Sequence, residues 1–244
     1  MTTDGATRPR VVFWDFDGTL ARRDGMWAGA LREALISVGP TTVTAAELRP
    51  GLRNGFPWHR PDVIVEQPNA DGWWQSLTPL FSSACLAAGV PEVTAAIAAG
   101  RVAQTYYRAD AWELIDGARQ ALTETADLGY RNVILSNHGP QLPQLVTALG
   151  LDDLVDRVIT SALVGAEKPN PAIFEYALMI TEAGPDRWMV GDNPVADVAG
   201  AEAVGIRALL ADGAYPDQRG MTVREAARQI ASSRAQDAPT ERYA

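Results

Sequence analysis

The ten residues VVFWDFDGTL, numbered 11 to 20, join a run of four apolar side chains to an acidic turn. A short apolar run without alternation is typical of a strand that is covered on both faces of a parallel sheet. The motif D-x-D-G-T places Asp15 and Asp17 where this strand ends. In open α/β sheets, ligands bind beyond the carboxyl ends of the strands. The stretch therefore predicts a buried strand and a candidate binding site at its end.

Two later stretches have the same form. The apolar run 133–135 leads into Ser136 and Asn137, and the run 188–190 leads into Gly191 and Asp192. Weaker strand candidates cover residues 158–160 and 206–210. Because helical patterns separate these runs, as in βαβ units, the fold class is predicted to be α/β with a doubly wound, Rossmann-like parallel sheet.

The segment 22–108 interrupts this alternation with helical patterns. Its clearest apolar face has helical spacing and consists of Trp73, Trp74, Leu77, Leu80, Phe81, Ala84, Cys85 and Ala88. Thr44 and Glu47 form a capping-box pattern before another short helix. We therefore predict an inserted helical domain at 22–108 and an α/β core at 1–21 and 109–244. A last helix is expected at 223–230, followed by a frayed polar tail from about residue 232.

Composition and charge narrow the possible partners. The chain has 244 residues, a formal net charge of −9 and 47% hydrophobic residues. The negative charge opposes binding to nucleic acid or to anionic lipid, so neither partner is expected. The first ten residues are polar, and no signal sequence or membrane span is indicated, which favours a cytoplasmic location. Cys85 lies in an apolar helical pattern and is predicted to be a buried, inert thiol.

The cationic residues comprise twenty arginines and one lysine, Lys168, in the sequence EKPNP. Taken in order, DFDGT at 15–19, ILSN ending at 137, this lysine and GDNPVAD at 191–197 resemble the four motifs of the haloacid dehalogenase superfamily, whose members are mostly phosphatases. The resemblance covers residues 10 to 211. It also implies that the helical insert is a cap of the family's first cap class.

The resemblance implies specific roles. Asp15 would be the nucleophile that forms an aspartyl-phosphate, and Asp17 would be the general acid and base. Mg²⁺ would be held by Asp15, by Asp192 and by the backbone carbonyl of Asp17, with Asp197 in support. Substrate phosphate would be bound by the remaining motif residues: Thr19, Ser136, Asn137 and Lys168. Since four carboxylates outnumber one ammonium, a phosphate could approach only after a divalent cation had bound.

The same residues bear on the other reactions of the superfamily. Asp17 argues against dehalogenation, because the departing halide needs no proton donor. The insert contains no lysine, which argues against phosphonate cleavage through an imine. A phosphomutase shares the core residues and stays open, as does a non-catalytic phosphate-binding protein. The expected partner is a small phosphate ester; its identity, the pathway and the oligomeric state are left open.

The insert has residues that suit a pocket for an anionic or ring-bearing substrate: Arg22, Arg23, Trp27, Arg53, Trp58, His59 and Arg60. Trp73 and Trp74 are expected to pack within the insert instead. His138 follows Asn137 directly, but the mechanism requires no imidazole, so no role is assigned to it. An insert joined to the core at two points, near Ala21 and Ala109, also predicts closure over the site.

Overall fold

The computed structural model describes residues 8–213 and 219–237. Its centre is a five-stranded parallel sheet in the order β5-β4-β1-β6-β7. The strands are β1 (Arg10–Trp14), β4 (Tyr130–Ser136), β5 (Arg157–Thr160), β6 (Arg187–Gly191) and β7 (Arg207–Leu210). The three strong strand predictions are β1, β4 and β6, and the two weaker ones are the edge strands β5 and β7.

Helices cover both faces of this sheet. Val12 and Trp14 belong to one apolar cluster, which includes residues of α5 (Ala118–Asp127), α6 (Leu142–Ala148) and α10 (Val223–Asp237). Val11 and Phe13 belong to the other, with α8 (Pro171–Thr181) and α9 (Gly200–Ala203). This alternation explains why the four buried residues of β1, 11–14, are all apolar. The predicted α/β, Rossmann-like class is confirmed.

Four main helices lie in the segment 22–108, which the sequence predicts to be helical. They are α1 (Met26–Val38), α2 (Ala45–Leu48), α3 (Ala70–Ala87) and α4 (Glu92–Tyr106). The predicted capping box is present. The Thr44 side chain accepts a hydrogen bond from the Glu47 N–H, and the Glu47 side chain accepts one from the Thr44 N–H. The predicted apolar face of α3 is buried at Trp73, Leu77, Phe81, Ala84 and Cys85.

A small antiparallel pair joins this helical segment to the rest of the chain. Strand β2 (Ala21–Arg23) leads into the helices, and β3 (Trp112–Leu114) leads out of them. The apolar cluster that contains Trp14 continues without a break into Trp27 and Phe81 of the insert. The insert is therefore packed against the core in this structure. A short α7 (Ser161–Val164) follows β5 on the core side.

The prediction of a frayed tail from residue 232 is wrong as far as the described residues extend. Helix α10 runs from Val223 to Asp237, so it continues for about two turns past the expected end. Its start is capped by Thr222, which exchanges hydrogen bonds with Glu225. Near its end, Arg234 donates to the carbonyl of Leu128 at 2.5 Å. This tertiary contact has no local sequence signal. The rest of the predicted tail, 238–244, lies outside the described residues.

Candidate active site

The site lies at the carboxyl edge of the sheet, beneath the helical insert. Asp15 follows β1, Ser136 ends β4 and Asp192 follows β6, and all three line one cavity of about 930 Å³. Trp27 and Trp58 of the insert also line this cavity. The cavity is thus bounded by both parts of the chain, and its floor carries the residues predicted from the strand ends.

Lys168 is the electrostatic centre of the site. Its ammonium group donates to Asp15 Oδ1 at 2.7 Å, to Asp197 Oδ1 at 2.5 Å and to the carbonyl of Leu135 at 2.8 Å. The residue is 2% exposed. Although burial disfavours the ammonium, the two carboxylates outweigh that effect and raise the pKa of Lys168 above its usual value. Lys168 therefore stays charged, and all three of its protons are used.

The two residues that end β4 hold this arrangement in place. Ser136 donates to Asp15 Oδ1 at 2.8 Å, so Oδ1 accepts hydrogen bonds from both Ser136 and Lys168. Asn137 binds the backbone of Lys168 on both sides, accepting from its N–H at 2.7 Å and donating to its carbonyl at 2.8 Å. The amide of Asn137 thus positions Lys168, although Asn137 was predicted to bind substrate. Both residues line the cavity.

Thr19 lies apart from the other predicted residues. Its side chain is fully buried and is not part of the cavity wall. Its hydroxyl has no hydrogen-bond partner among the described residues. The contact between Thr19 and substrate stays a prediction.

Three buried aspartates form a group suited to a metal ion. Asp15, Asp192 and Asp197 each place a carboxylate oxygen within 4.8 Å of the others. Burial is the main reason that the pKa of Asp197 lies above its usual value, and Lys168 partly offsets this effect. Three clustered carboxylates with one ammonium leave negative charge to be neutralised, and oxygen-only ligands are those that hard divalent cations prefer. The residues therefore fit such a cation.

Glycines make room for this cluster. Gly18 has a φ of 84°, and a Cβ atom there would lie 2.3 Å from Asp192 Oδ2. A Cβ atom at Gly191 would lie 2.3 Å from Asp197 Cγ. A side chain at either position would displace a carboxylate of the cluster. The glycine of the D-x-D-G-T motif is thus needed both for its left-handed backbone and for the close approach of Asp192.

Asp17 faces a different set of groups from those around Asp15. The Tyr106 hydroxyl donates to Asp17 Oδ2 at 3.2 Å, and His138 Nε2 lies 3.4 Å from Asp17 Oδ1. The Tyr107 hydroxyl lies 2.8 Å from His138 Nδ1. Burial and then the charge of Asp17 raise the pKa of both tyrosines well above the usual value, so both remain hydroxyl donors. Sequence reasoning missed both tyrosines and left His138 unassigned.

The insert contributes aromatic walls and one exposed cation to the cavity. Trp27 stacks on Tyr106 with ring centroids 3.7 Å apart, and Trp58 stacks on Phe56 at 4.4 Å. Arg22 lines the cavity, and its only described ion pair is an exposed one with Glu113 at 3.3 Å. Arg23 also lines it, but the side chain is buried and paired with Glu33 at 2.7 Å.

The other residues suggested for a pocket lie outside this cavity. His59 Nδ1 accepts from the backbone of Phe56 at 3.2 Å, and Arg60 lines a smaller cavity of about 290 Å³. Trp73 is buried within the insert, as predicted. Trp74 is half-buried and donates to Gln141 of the core at 2.9 Å, so it connects the two parts of the chain.

The fold is a parallel α/β sheet with a helical insertion after its first strand. A cluster of one lysine and several carboxylates lies at the carboxyl edge of this sheet. Together these features are typical of α/β hydrolases with acidic active sites. The chain belongs to the haloacid dehalogenase-like hydrolase family, whose model matches residues 9–205. The family predicted from the four motifs is thereby confirmed. No helix in the described ranges combines the length and the apolar character that crossing a membrane requires.

Two curated relatives match most of the chain. Haloacid dehalogenase-like hydrolase domain-containing protein 3 of Xenopus laevis is 28% identical over 211 residues, which cover 82% of this chain and 83% of the frog protein. Glyceraldehyde 3-phosphate phosphatase of Pyrococcus furiosus is 27% identical over 213 residues, which cover 83% and 80% of the two chains.

Solved structures share the fold. The HAD-hydrolase YfnB of Bacillus subtilis, in a crystal form bound to magnesium, superposes with a TM-score of 0.68 and 17% identity, over 92% of this chain and 99% of its own. L-2-haloacid dehalogenase of Xanthobacter autotrophicus gives a TM-score of 0.62 at 20% identity, over 91% and 98%. Since both identities are low, these two structures support the fold alone.

Proposed function

We propose that this protein is a Mg²⁺-dependent phosphatase that hydrolyses a small phosphorylated metabolite through an aspartyl-phosphate. The observation that carries the proposal is the environment of Asp15. Ser136 and Lys168 both donate to its Oδ1 atom, and no described residue donates to Oδ2. One carboxylate oxygen is thus held by two donors, and the other remains available to a phosphorus atom or to a metal ion.

The proposed reaction has two steps. In the first, an Asp15 carboxylate oxygen bonds to phosphorus as the ester P–O bond breaks, and Asp17 gives its proton to the departing oxygen. In the second, water attacks the same phosphorus, the Asp15–phosphorus bond breaks, and Asp17 takes a proton from the water. Atoms and protons balance over the cycle, and both aspartates return to their initial states.

The cluster supplies what the anionic reactants need. Lys168 stays charged and offsets the charge of Asp15, and Ser136 orients the same carboxylate. Mg²⁺, held by Asp15 and Asp192 with the Asp17 carbonyl and Asp197 in support, would neutralise charge on the phosphoryl group. Fixed positive charge and alignment of this kind account for most of the catalysis of phosphoryl transfer.

The choice of phosphatase over dehalogenase rests on a residue and on relatives. Asp17 lines the cavity and can serve as a proton donor, which an ester oxygen requires and a halide does not. Relatives include glyceraldehyde 3-phosphate phosphatase and, over 129 residues at 33% identity, phosphoserine phosphatase of Thermus thermophilus. A cavity of about 930 Å³ is of the size that takes small metabolites. A phosphomutase remains the second candidate, since it needs the same core residues.

We also propose that residues 22–108 act as a cap over this site. Two hydrogen bonds support it, because they join the loop after α2 to the core: Val65 N–H donates to the carbonyl of Gly165 at 2.8 Å, and Asn170 donates to the carbonyl of Pro61 at 2.8 Å. Opening would break them to admit substrate. A chemical cross-link between insert and core should therefore stop turnover of metabolites; unchanged rates would contradict gating.

The test is release of inorganic phosphate from p-nitrophenyl phosphate and from a panel of phosphorylated metabolites. We expect turnover that requires Mg²⁺, stops with EDTA and is lost in Asp15→Asn. The exposed Asp153→Asn is the matched control and should behave as the unmodified protein. Turnover that survives Asp15→Asn would refute the nucleophile. Phosphate binding without release from any ester would identify a binding protein instead.

A further inference from the structure

The carboxyl group of Asp17 has two oxygens in different surroundings. Oδ1 is buried from solvent and has no hydrogen-bond partner at normal distance, and His138 Nε2, which is also buried without such a partner, lies 3.4 Å from it. Oδ2 accepts from Tyr106 at 3.2 Å. The Asp17 side chain is 22% exposed. Since Oδ1 is shielded, Oδ2 is the oxygen that can exchange a proton with a bound substrate.

The neighbours of His138 determine where its proton resides. If Nδ1 carried the proton, the lone pair of Nε2 would face the carboxylate oxygen of Asp17, which is repulsive. With the proton on Nε2, His138 is oriented to donate toward Asp17 Oδ1, and Nδ1 accepts from the Tyr107 hydroxyl at 2.8 Å, which is closer to Nδ1 than the Gly139 carbonyl oxygen at 3.3 Å. This tautomer gives each of the two buried atoms, His138 Nε2 and Asp17 Oδ1, a complementary neighbour at 3.4 Å. The 3.4 Å separation exceeds the usual ~2.9 Å, as is common for catalytic contacts before substrate binds.

The imidazole has little freedom to leave this position. It is 1% exposed and packs between Phe16, Tyr106, Tyr107 and Trp112, with ring centroids 5.4 to 6.0 Å away. Gly139 lets the loop approach closely, because a Cβ atom there would lie 2.5 Å from the Tyr107 hydroxyl oxygen. The ring is therefore fixed on four sides by both the core and the insert.

We propose that His138, oriented by Tyr107, is a positioning residue for the general acid Asp17. Its Nε2–H anchors Oδ1, so that Oδ2 faces the departing oxygen of the ester. When Oδ2 gives up its proton, the Tyr106 hydroxyl and the His138 N–H both stabilise the carboxylate that forms. This inference rests on the proposed function, and it adds three residues, of which two come from the insert, to the proton-transfer half of the site.

A leaving-group series tests the inference without reference to pH. The kcat/KM values are measured for substituted phenyl phosphates and for ethyl phosphate, and their logarithms are plotted against the basicity of the leaving group. An enzyme with a well-placed acid gives a shallow slope, because the acid protonates even a basic oxygen as it leaves. Asp17→Asn should give the steepest slope. The slope does not depend on how much of a variant has folded, so partial misfolding cannot imitate the effect.

The variants separate positioning from packing. For His138→Ala we expect kcat/KM to fall about 10- to 100-fold on ethyl phosphate, part of the ~10²–10⁴-fold that acid–base catalysis supplies, and less than about threefold on p-nitrophenyl phosphate. Tyr107→Phe should steepen the slope less. His138→Gln, whose amide can donate to Oδ1, should restore most of it. Tyr130→Phe is the matched control, because it removes a tyrosine–carboxylate hydrogen bond to Asp186 remote from the site.

The outcomes are distinct. Slopes for His138→Ala and Tyr107→Phe that run parallel to that of the unmodified protein would overturn the inference and leave the proposed function standing. If the unmodified protein hydrolysed none of these esters, the proposed function would fail, and the inference with it. If Tyr130→Phe also gave a steeper slope, the loss of any tyrosine hydroxyl would disturb the general acid. That result would overturn the inference too.

Discussion

Glu167 predicts a measurable dependence of stability on pH. The residue precedes Lys168, is 5% exposed, and one of its carboxylate oxygens has no partner among the described residues. Burial raises the pKa of Glu167 from 4.5 to about 7, with Ser161 and Lys168 opposing the shift. Because the folded pKa exceeds the unfolded one, the folded state binds more protons. The contribution of Glu167 to the free energy of unfolding is therefore complete below about pH 4.5 and is lost as the pH rises through about 7.

The size of this effect follows from the shift. One pKa unit corresponds to about 1.4 kcal/mol, so the folded protein should lose about 2 to 3 kcal/mol between pH 5 and pH 8 from Glu167 alone. Glu167→Gln removes this titration and keeps the shape of the side chain. We therefore expect the variant to gain about 2 to 3 kcal/mol over the unmodified protein as pH rises from 5 to 8.

Urea unfolding at pH 5, 6, 7 and 8 measures the difference between the two proteins, in which all other titrations cancel. Glu175→Gln, on the exposed face of α8, is the control and should follow the unmodified protein throughout. If the free energies of unfolding of Glu167→Gln and the unmodified protein changed in parallel, Glu167 would not titrate as its burial implies.

Three further predictions concern the site and the insert. Lys168→Met should destabilise the fold by about 3 to 5 kcal/mol in urea, because it leaves two buried carboxylates without a counter-charge; a loss below 1 kcal/mol would contradict the buried ion pairs. Gly18→Ala should abolish phosphatase turnover while the protein stays folded by circular dichroism, because the new Cβ atom would meet the Asp192 carboxylate; full activity would contradict that approach. Burial raises the pKa of Cys85 to about 11, so its thiol should react with a disulfide reagent only after unfolding, and rapid reaction in the folded protein would show that it is accessible.

The parts of the site that the sequence predicts are those that follow a strand directly. Asp15, Ser136 and Asp192 each come at the end of an apolar run, and parallel strands bring such ends to one edge. Lys168 was found from its motif, and its burial between two carboxylates is a tertiary property. The sequence likewise does not reveal that Asn137 binds the Lys168 backbone, because two loops must first meet.

Two of the residues that the sequence did not predict come from one helix end. Tyr106 and Tyr107 close α4, where the pattern of buried Ala98, Ala99 and Val102 indicates only a packed helix. Nothing local distinguishes a core tyrosine from one whose hydroxyl reaches Asp17. Thr19 shows the converse, since a motif residue can be buried away from the cavity. Spacing thus predicts which face a residue occupies, but tertiary packing decides which polar atom it meets.

The position of these tyrosines in the chain has a mechanical consequence. They lie just before β3, one of the two strands that join insert and core, and Trp112 of that strand donates to the carbonyl of Tyr106 at 2.7 Å. If the insert rotates about the β2–β3 pair, groups beside the pair move least, while Trp58, Pro61 and Val65 move most. The partners of Asp17 would then stay in place as the cavity opens. The contacts that the proposed opening breaks are thus separate from those that orient the general acid Asp17. A cross-link between insert and core should therefore affect the turnover of metabolites, whereas a substitution of His138 should affect the leaving-group slope.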